Sequence, residues 1–435
     1  MRLTTPPNPP ETALTEPPAT PARADAFAAL RYGEYRNLIA GSFLFTIAMT
    51  VQEIAIAYEL YLITRDPFVL GLLGLAEALP FMAVALFGGH FADRRDKRSI
   101  MLTALAFILA GSLFLTWIMQ PQVRASLSQT ALLASCYGVV AALGLARGFL
   151  TPAVSSLKGF LVPREHYANA TAWSSTLWQA GAILGPVAGG FLYAGVGLST
   201  SLLVVCAALL LQGVMYARIK PRPAQLSAAE EQESVWASLA VGIRFVFQSK
   251  IILYSISLDL FSVLFGGVVA ILPVFAEDVL KVGAEGLGLL RAAPAVGAMV
   301  TVLLCTRYPP MLKAWRNLLI AVAGFGVAIL VFGLSRSLWL SAAALCASGA
   351  FDSISVVIRG TILQMMPPDH LRGRVLAVNS IFISSSNELG AFQAGTSAAI
   401  FGATRSVLIG GAITLAIVTG VWRRSRDLLA LRLDR

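Results

Sequence analysis

Charge is scarce in this chain. Only 13% of its 435 residues are Asp, Glu, Lys or Arg, while 57% are hydrophobic, and soluble domains carry about a quarter charged residues. A water-soluble globular domain is excluded. Histidine is scarcer still: His90, His166 and His370 are the only three. All three are expected at cytoplasmic loops, so haem ligation and a histidine-based intramembrane metal site are not expected. The four cysteines, Cys136, Cys206, Cys305 and Cys346, fall in apolar runs without CxxC spacing and read as small core residues. No Gly-Lys dipeptide occurs, which removes a GxxxxGK[ST] phosphate loop and any ATPase of the chain's own. No cofactor, metal or catalytic residue is expected, and no recognisable nucleophile–base pair points to a membrane enzyme. Energy then has to come from an ion gradient or from the substrate's own gradient, with no ATPase subunit required.

Apolar runs of 18 or more residues are abundant, each long enough to cross a hydrocarbon layer ~30 Å thick. Twelve spans are expected, at 37–63, 68–92, 99–119, 130–157, 169–194, 199–217, 251–276, 286–306, 317–334, 338–365, 375–401 and 405–422. The fold class is thus an all-α polytopic membrane protein, and an even number of spans puts both termini on one side. The termini and the loops on their side hold 25 Lys and Arg, the opposite loops hold five (Arg65, Arg124, Lys281, Arg336, Arg405), and three lie inside spans. Basic residues accumulate on the cytoplasmic side, so both termini are expected in the cytoplasm of a cell inner membrane. The net charge of +10 is topology, not affinity for nucleic acid.

Residues 1–36 contain "TTPPNPPETALTEPPATPARAD", a Pro-rich stretch with no apolar core. It reads as a disordered cytoplasmic tail and not a signal peptide, with "FAALRYGEYRN" as a short lead-in helix. Residues 37–217 and 251–422 then form two six-helix halves. Residues 218–250 form a linker whose second part puts Val235, Leu239, Ile243 and Val246 on one face, as suits a helix lying on the membrane surface. Residues 423–435 form a basic cytoplasmic tail. The halves echo each other: "LVPREH" from Leu161 matches "MMPPDH" from Met365, and "GLAEALP" from Gly74 matches "GLLRAAP" from Gly288. A parallel six-plus-six repeat is one of the known plans of secondary transporters, with the substrate site between the halves near mid-membrane.

Three stretches carry a resemblance. "GGHFADRRDKR" places Gly89, Asp93, Arg94, Lys97 and Arg98 in the turn between spans two and three. Small residues suit a tight turn, the basic set fixes topology, and Asp93 can cap a helix N-terminus or pair with an arginine in one conformation and release it in another. "GAILGPVAGG" places Gly181, Gly185, Pro186, Gly189 and Gly190 in span five, where glycines four apart let helices approach and the proline bends the span. "GLARGFLTP" places Arg147 inside span four. The chain resembles the major facilitator superfamily over nearly all of residues 27–430. The first stretch is similar to its G-x-x-x-D-[RK]-x-G-[RK]-[RK] loop, with Asp96 in place of the usual Gly. The second is similar to the span-five pattern of drug:proton antiporters, and Arg147 to a span-four arginine implicated in proton transfer. "ALRYGEYRNLIAG", "ELGAFQAGTSAAIFG" and Asp96 resemble the enterobactin-exporter-like subgroup.

Nine ionisable residues lie within the expected spans: Glu53, Glu59, Glu77, Arg147, Asp259, Arg291, Asp352, Arg359 and Glu388. Each costs roughly 2.5–3.5 kcal/mol at mid-bilayer, so their retention points to function. Six sit on spans one, four, seven and ten, which by the resemblance line a central cavity. Glu53 and Asp259 have no basic residue within a helical turn, and a carboxyl without a fixed partner suits a proton carrier; Arg147 ranks third. Arg291 and Glu77 occupy matching repeat positions with opposite signs and are equally suited to a pair between the halves or to a substrate role. Glu59 and Arg359 divide between a buried role and a place near a membrane face, and Glu388 reads as a helix-packing acid. The reading is a proton-coupled exporter of a siderophore or an amphipathic drug-like molecule, whose partners are a small-molecule substrate, protons and the lipid bilayer. The alternatives are an importer or facilitator, a lipid flippase of the same fold, and a non-transporting membrane receptor.

Overall fold

The computed structural model describes residues 25–94, 96–221 and 235–431, without the side chains of 85–94 and 235–239. The Pro-rich tail, the polar part of the linker and the last four residues therefore lie outside the described residues. Among the described residues the chain is helical, as twelve spans, one peripheral helix, a short helix at Pro121–Ser126 and several 3-10 turns. The N-terminal half consists of α1 (Gly33–Thr64), α2 (Pro67–Arg94), α3 (Lys97–Ile118), α4 (Gln129–Leu161) and α5 (Tyr167–Ala217). The peripheral helix is α6 (Val235–Gln248). The C-terminal half consists of α7 (Lys250–Gly266) with its extension, α8 (Gly283–Arg307), α9 (Ala314–Leu334), α10 (Leu338–Met365), α11 (Asp369–Phe401) and α12 (Ala403–Arg424).

Two spans are contained in α5. At 51 residues a straight helix would run about 76 Å, more than twice the ~30 Å hydrocarbon layer. It turns back at Gly197, whose φ of 78° and ψ of 171° suit glycine alone. The expected loop between spans five and six is thus one hinge residue. In hydropathy α11 falls short of a membrane span, though its 33 residues are long enough, while ten other described helices qualify. Asn387 and Glu388 line an internal cavity, so these two polar residues lower the average without having to face lipid.

The seventh span is broken where a continuous helix was expected. Gly266 and Gly267 end α7 and a 3-10 turn covers Val269–Ile271. Pro273, with no N–H to give the turn before it, is followed by a π-turn at Phe275–Val279. The Leu280 amide reaches the Phe275 carbonyl at 2.8 Å, the i to i−5 bond of such a turn. The lead-in is a 3-10 turn, Ala28–Arg31, and not a separate α-helix. Asn169 fastens it, accepting from the Ala29 amide at 3.0 Å and donating to the Ala26 carbonyl at 2.8 Å. In α6 the expected membrane face divides: Val246 is buried and Ile243 exposed, because Gly242 packs against the Arg374 carbonyl of α11. The start of the C-terminal tail folds back, with the Ala314 amide donating to the Leu431 carbonyl at 3.0 Å.

Helices meet closely where glycine removes the side chain. A Cβ built on Gly349 of α10 would lie 2.0 Å from the Pro294 carbonyl oxygen of α8, and one on Gly297 only 1.9 Å from that of Cys346. Gly349→Ala is therefore expected to cost about 1–3 kcal/mol by overpacking. It should appear as a lowered thermal midpoint of the purified protein, whereas Gly373→Ala, with open space at its Cβ, should not lower it.

Candidate functional site

Span-five glycines decide how the site is framed. Gly181, Gly185 and Gly189 pack α5 against Thr46, Thr50 and Val51 of α1. Gly190, next along, faces the other half: its Cβ would lie 2.4 Å from the Ala284 carbonyl, and Gly288 of α8 meets the Pro186 carbonyl. The same device joins α2 to α11, where a Cβ on Gly395 would lie 2.7 Å from the Cα of Gly71. These crossings hold the two halves together in the part of the bundle away from the termini.

Between the halves lies a cavity of about 420 Å³. It joins a second compartment of about 430 Å³ through the shared residues Met49, Glu53 and Arg147. The second compartment runs toward the face of the termini, as its lining by Ile39, Lys158 and Ser174 requires. These residues lie near the start of α1, the end of α4 and the start of α5.

Five charges line the inner cavity: Glu53, Glu77, Arg147, Arg291 and Glu388. Glu77 pairs with Arg147, and the reason is local. A Cβ on Gly144 would sit 2.1 Å from the Glu77 carbonyl, so α4 lies against α2 there. Arg147, three residues on, shares that helix face. Glu53 pairs with Arg291 across the halves, and Arg291 also reaches the Val269 carbonyl at 3.5 Å. Two expectations are corrected here. Glu77 and Arg291 do not pair with each other, and Glu53 does have a fixed partner, brought by another helix where sequence spacing shows none. The cavity carboxyl without an ion pair or hydrogen bond among the described residues is Glu388.

Asp259, Asp352 and Arg359 do not line this cavity. Asp259 pairs with Arg359, their side chains only 8% and 4% exposed. Asp352, two turns before Arg359 on α10, borders a void of about 10 Å³ with Asp259, Ser262 and Ser355. Arg359 is buried. The expectation that spans one, four, seven and ten supply the cavity charges is replaced by α1, α2, α4, α8 and α11. Glu59, buried as well, is held by Arg124 and by the Tyr193 hydroxyl.

A polar clamp missed by sequence reasoning closes the face away from the termini. The Tyr58 hydroxyl donates to Glu277 at 2.6 Å and that of Tyr61 donates to Asp278. Arg65 reaches Glu277 at 3.3 Å and Asp278 at 3.0 Å. Both acids ride on the π-turn, so the broken seventh span turns two adjacent carboxylates toward α1. The adjacent Glu-Asp pair near the end of a span was the available signal. In the first motif, Asp96 caps α3, accepting from the Ser99 amide at 2.9 Å. Arg98 donates to the Ala217 carbonyl at the end of α5 at 2.8 Å, the favoured charge for a helix C-terminus. Lys97 is buried over the Phe160 ring. The side chains of Gly89, Asp93 and Arg94 lie outside the described residues.

The Asp259–Arg359 pair is buried enough for its parts to be inseparable. Arg359→Met alone is expected to cost about 3–5 kcal/mol by stranding Asp259, whereas Asp259→Leu with Arg359→Met should recover most of that. Denaturant unfolding of the four proteins of the double-mutant cycle measures it.

A protein-family model described as Major Facilitator Superfamily matches residues 38–391. The enterobactin exporter EntS of Citrobacter koseri is 24% identical over 405 residues, covering 90% of this chain and 93% of that protein. The enterobactin exporter EntS of Escherichia coli O1:K1 is 23% identical over 347 residues, 78% of this chain and 79% of that one. Among solved structures, a bacterial homologue of the human lysosomal transporter Spinster, inward-facing and unoccupied, superposes with a TM-score of 0.69 at 17% identity, covering 91% of this chain and 98% of its own. The nucleoside transporter NupG does so at 0.70 and 10% identity, covering 90% and 99%. The family match extends over most of the chain, and its twelve spans form two six-helix halves around a central cavity: the chain belongs to the major facilitator superfamily.

Proposed function

We propose that the protein is a secondary active exporter of the inner membrane, moving an amphipathic small molecule, a siderophore or a drug-like compound, outward in exchange for protons. Both termini lie in the cytoplasm in this reading, as the 25 basic residues on their side favour. The cavity then opens inward and the Tyr58, Tyr61 and Arg65 clamp closes the outer face, which is the state in which an exporter loads. Relatives named as enterobactin exporters support export, and so does the span-five motif.

The observation that carries the reading is the Glu53–Arg291 pair. It is a titratable carboxylate in the cavity wall and also a tie between the halves. A proton on Glu53 removes the charge that holds Arg291, loosens the tie and shifts the balance between inward- and outward-open states. Arg147 acts on the same wall by holding Glu77. In the C-terminal half Asp259, Arg359 and Asp352 keep α7 and α10 in register, and Arg98 and Lys97 fasten the loop between spans two and three to its neighbours.

The test is transport in proteoliposomes with an imposed pH gradient and the membrane potential clamped, using a catecholate siderophore and, separately, a lipophilic cation. Wild type should accumulate one of them only while the gradient lasts, and Glu53→Gln should equilibrate it without accumulating it. Accumulation that ignores the gradient, or Glu53→Gln accumulating at the wild-type level, would overturn proton coupling.

A further inference from the structure

The C-terminal half holds a second charged cluster, apart from the cavity. On α7 the stretch Asp259-Leu260-Phe261-Ser262 and on α10 the stretch Asp352-Ser353-Ile354-Ser355 share one spacing, Asp-x-x-Ser. Residues three apart lie on one helix face, and both aspartates and both serines line a single void of about 10 Å³. The rest of its wall is apolar: Val263, Val322, Phe325 and Phe351. Two of these rings pack onto glycine. A Cβ on Gly324 of α9 would lie 2.6 Å from the Phe351 ring, and one on Gly266 of α7 would lie 2.5 Å from that of Phe325.

The charges around the void do not balance. Asp259 and Asp352 bring two carboxylates, and Arg359 pairs with the first of them from outside the lining. Asp352 has no ion pair or hydrogen bond among the described residues. One negative charge is therefore left in low dielectric, where it is costly unless paired. The hydroxyls also have acceptor capacity to give. Ser262 donates its proton to the Leu258 carbonyl, which leaves its oxygen lone pairs as acceptors. Ser355 is only 4% exposed and makes no hydrogen bond among the described residues, and a buried hydroxyl without a partner is costly.

A proton on Asp352 restores the charge, but no hydrogen bond joins that carboxyl to Ser355. A water partners the hydroxyls, in a space close to the ~10–15 Å³ that one needs, but brings no charge. A small monovalent cation does both. Calcium and magnesium overshoot the charge by one, and both ask for more oxygens, about six to eight for calcium and roughly six in an octahedron for magnesium. We propose that Asp259, Ser262, Asp352 and Ser355 bind one sodium ion through their carboxylate and hydroxyl oxygens. The ion ties α7 to α10, and α7 leads into the broken span that carries Glu277 and Asp278. The site is separate from the cargo cavity, so it stands whichever way cargo moves and whatever drives it.

The experiment measures binding of radioactive sodium to the full chain in nanodiscs, in choline chloride at neutral and at alkaline pH, with empty nanodiscs subtracted. Wild type should bind saturably, and potassium at equal concentration should not displace the sodium. Asp352→Asn should weaken sodium about tenfold or more, the range of a charged contact, and Ser355→Ala about three- to tenfold, that of a neutral one. Sodium should raise the thermal midpoint of wild type and leave that of Asp352→Asn unmoved, which a merely structural role for these residues would not produce. Absence of saturable binding by wild type at both pH values would overturn the inference and leave the balancing charge to a proton. Displacement by equal potassium, or Asp352→Asn binding as tightly as wild type, would overturn it too. If Asp352→Asn does not fold, undiminished binding by Ser355→Ala is the overturning result.

Discussion

The two halves of this protein meet backbone to backbone. At the α5–α8 crossing Gly190 and Gly288 leave no room for a Cβ, and at the α2–α11 crossing Gly71 and Gly395 do the same. In lipid there is no hydrophobic drive to bring two apolar helices together, so close approach and dispersion contact have to do it. Everything else in the site is arranged around these contacts. They bring Arg291 of α8 within reach of Glu53 on α1 and set Asn387 and Glu388 of α11 opposite α2. They also leave the compartment toward the termini open.

Burying nine ionisable residues would be prohibitive if each stood alone, and the structure shows how most of that cost is avoided. Glu59, Glu77, Glu53 and Asp259 each receive an arginine from a different helix or loop. The pairs differ in role. Asp259 and Arg359 are sealed inside the C-terminal half and act as internal stitching. Glu77 and Arg147 hold one cavity wall. Glu53 and Arg291 alone among these cavity pairs bridge the halves, so a change in their charge acts on how the halves sit.

The clamp on the far face shows how a local defect becomes useful. Two glycines and Pro273 break the seventh span, and the chain resumes through a π-turn that rotates Glu277 and Asp278 toward Tyr58, Tyr61 and Arg65. Arg65 and Lys281, the residues just past the first span of each half, both adopt left-handed backbone, with φ of 52° and 54°. The internal repeat is thus written in the backbone as well as in the short matching stretches.

Length, hydropathy and glycine pattern determined the number of spans, the two halves and the membrane setting, because a bilayer imposes one length and one polarity on every helix that crosses it. The span expected at 375–401 is there as α11 even though its polar residues Asn387 and Glu388 line a cavity. The charges were legible as a set: Glu53, Glu77, Arg147 and Arg291 were singled out and do meet in one cavity. Which acid meets which base was not, because pairing joins residues 70 positions apart in the case of Glu77 and Arg147 and 238 apart in the case of Glu53 and Arg291. Spacing along one helix carries no information about a neighbour from another. Glu388 reads as a packing acid from its own stretch of sequence, and only the packing of α11 between α2 and α7 makes it the cavity carboxyl without an ion pair or hydrogen bond among the described residues.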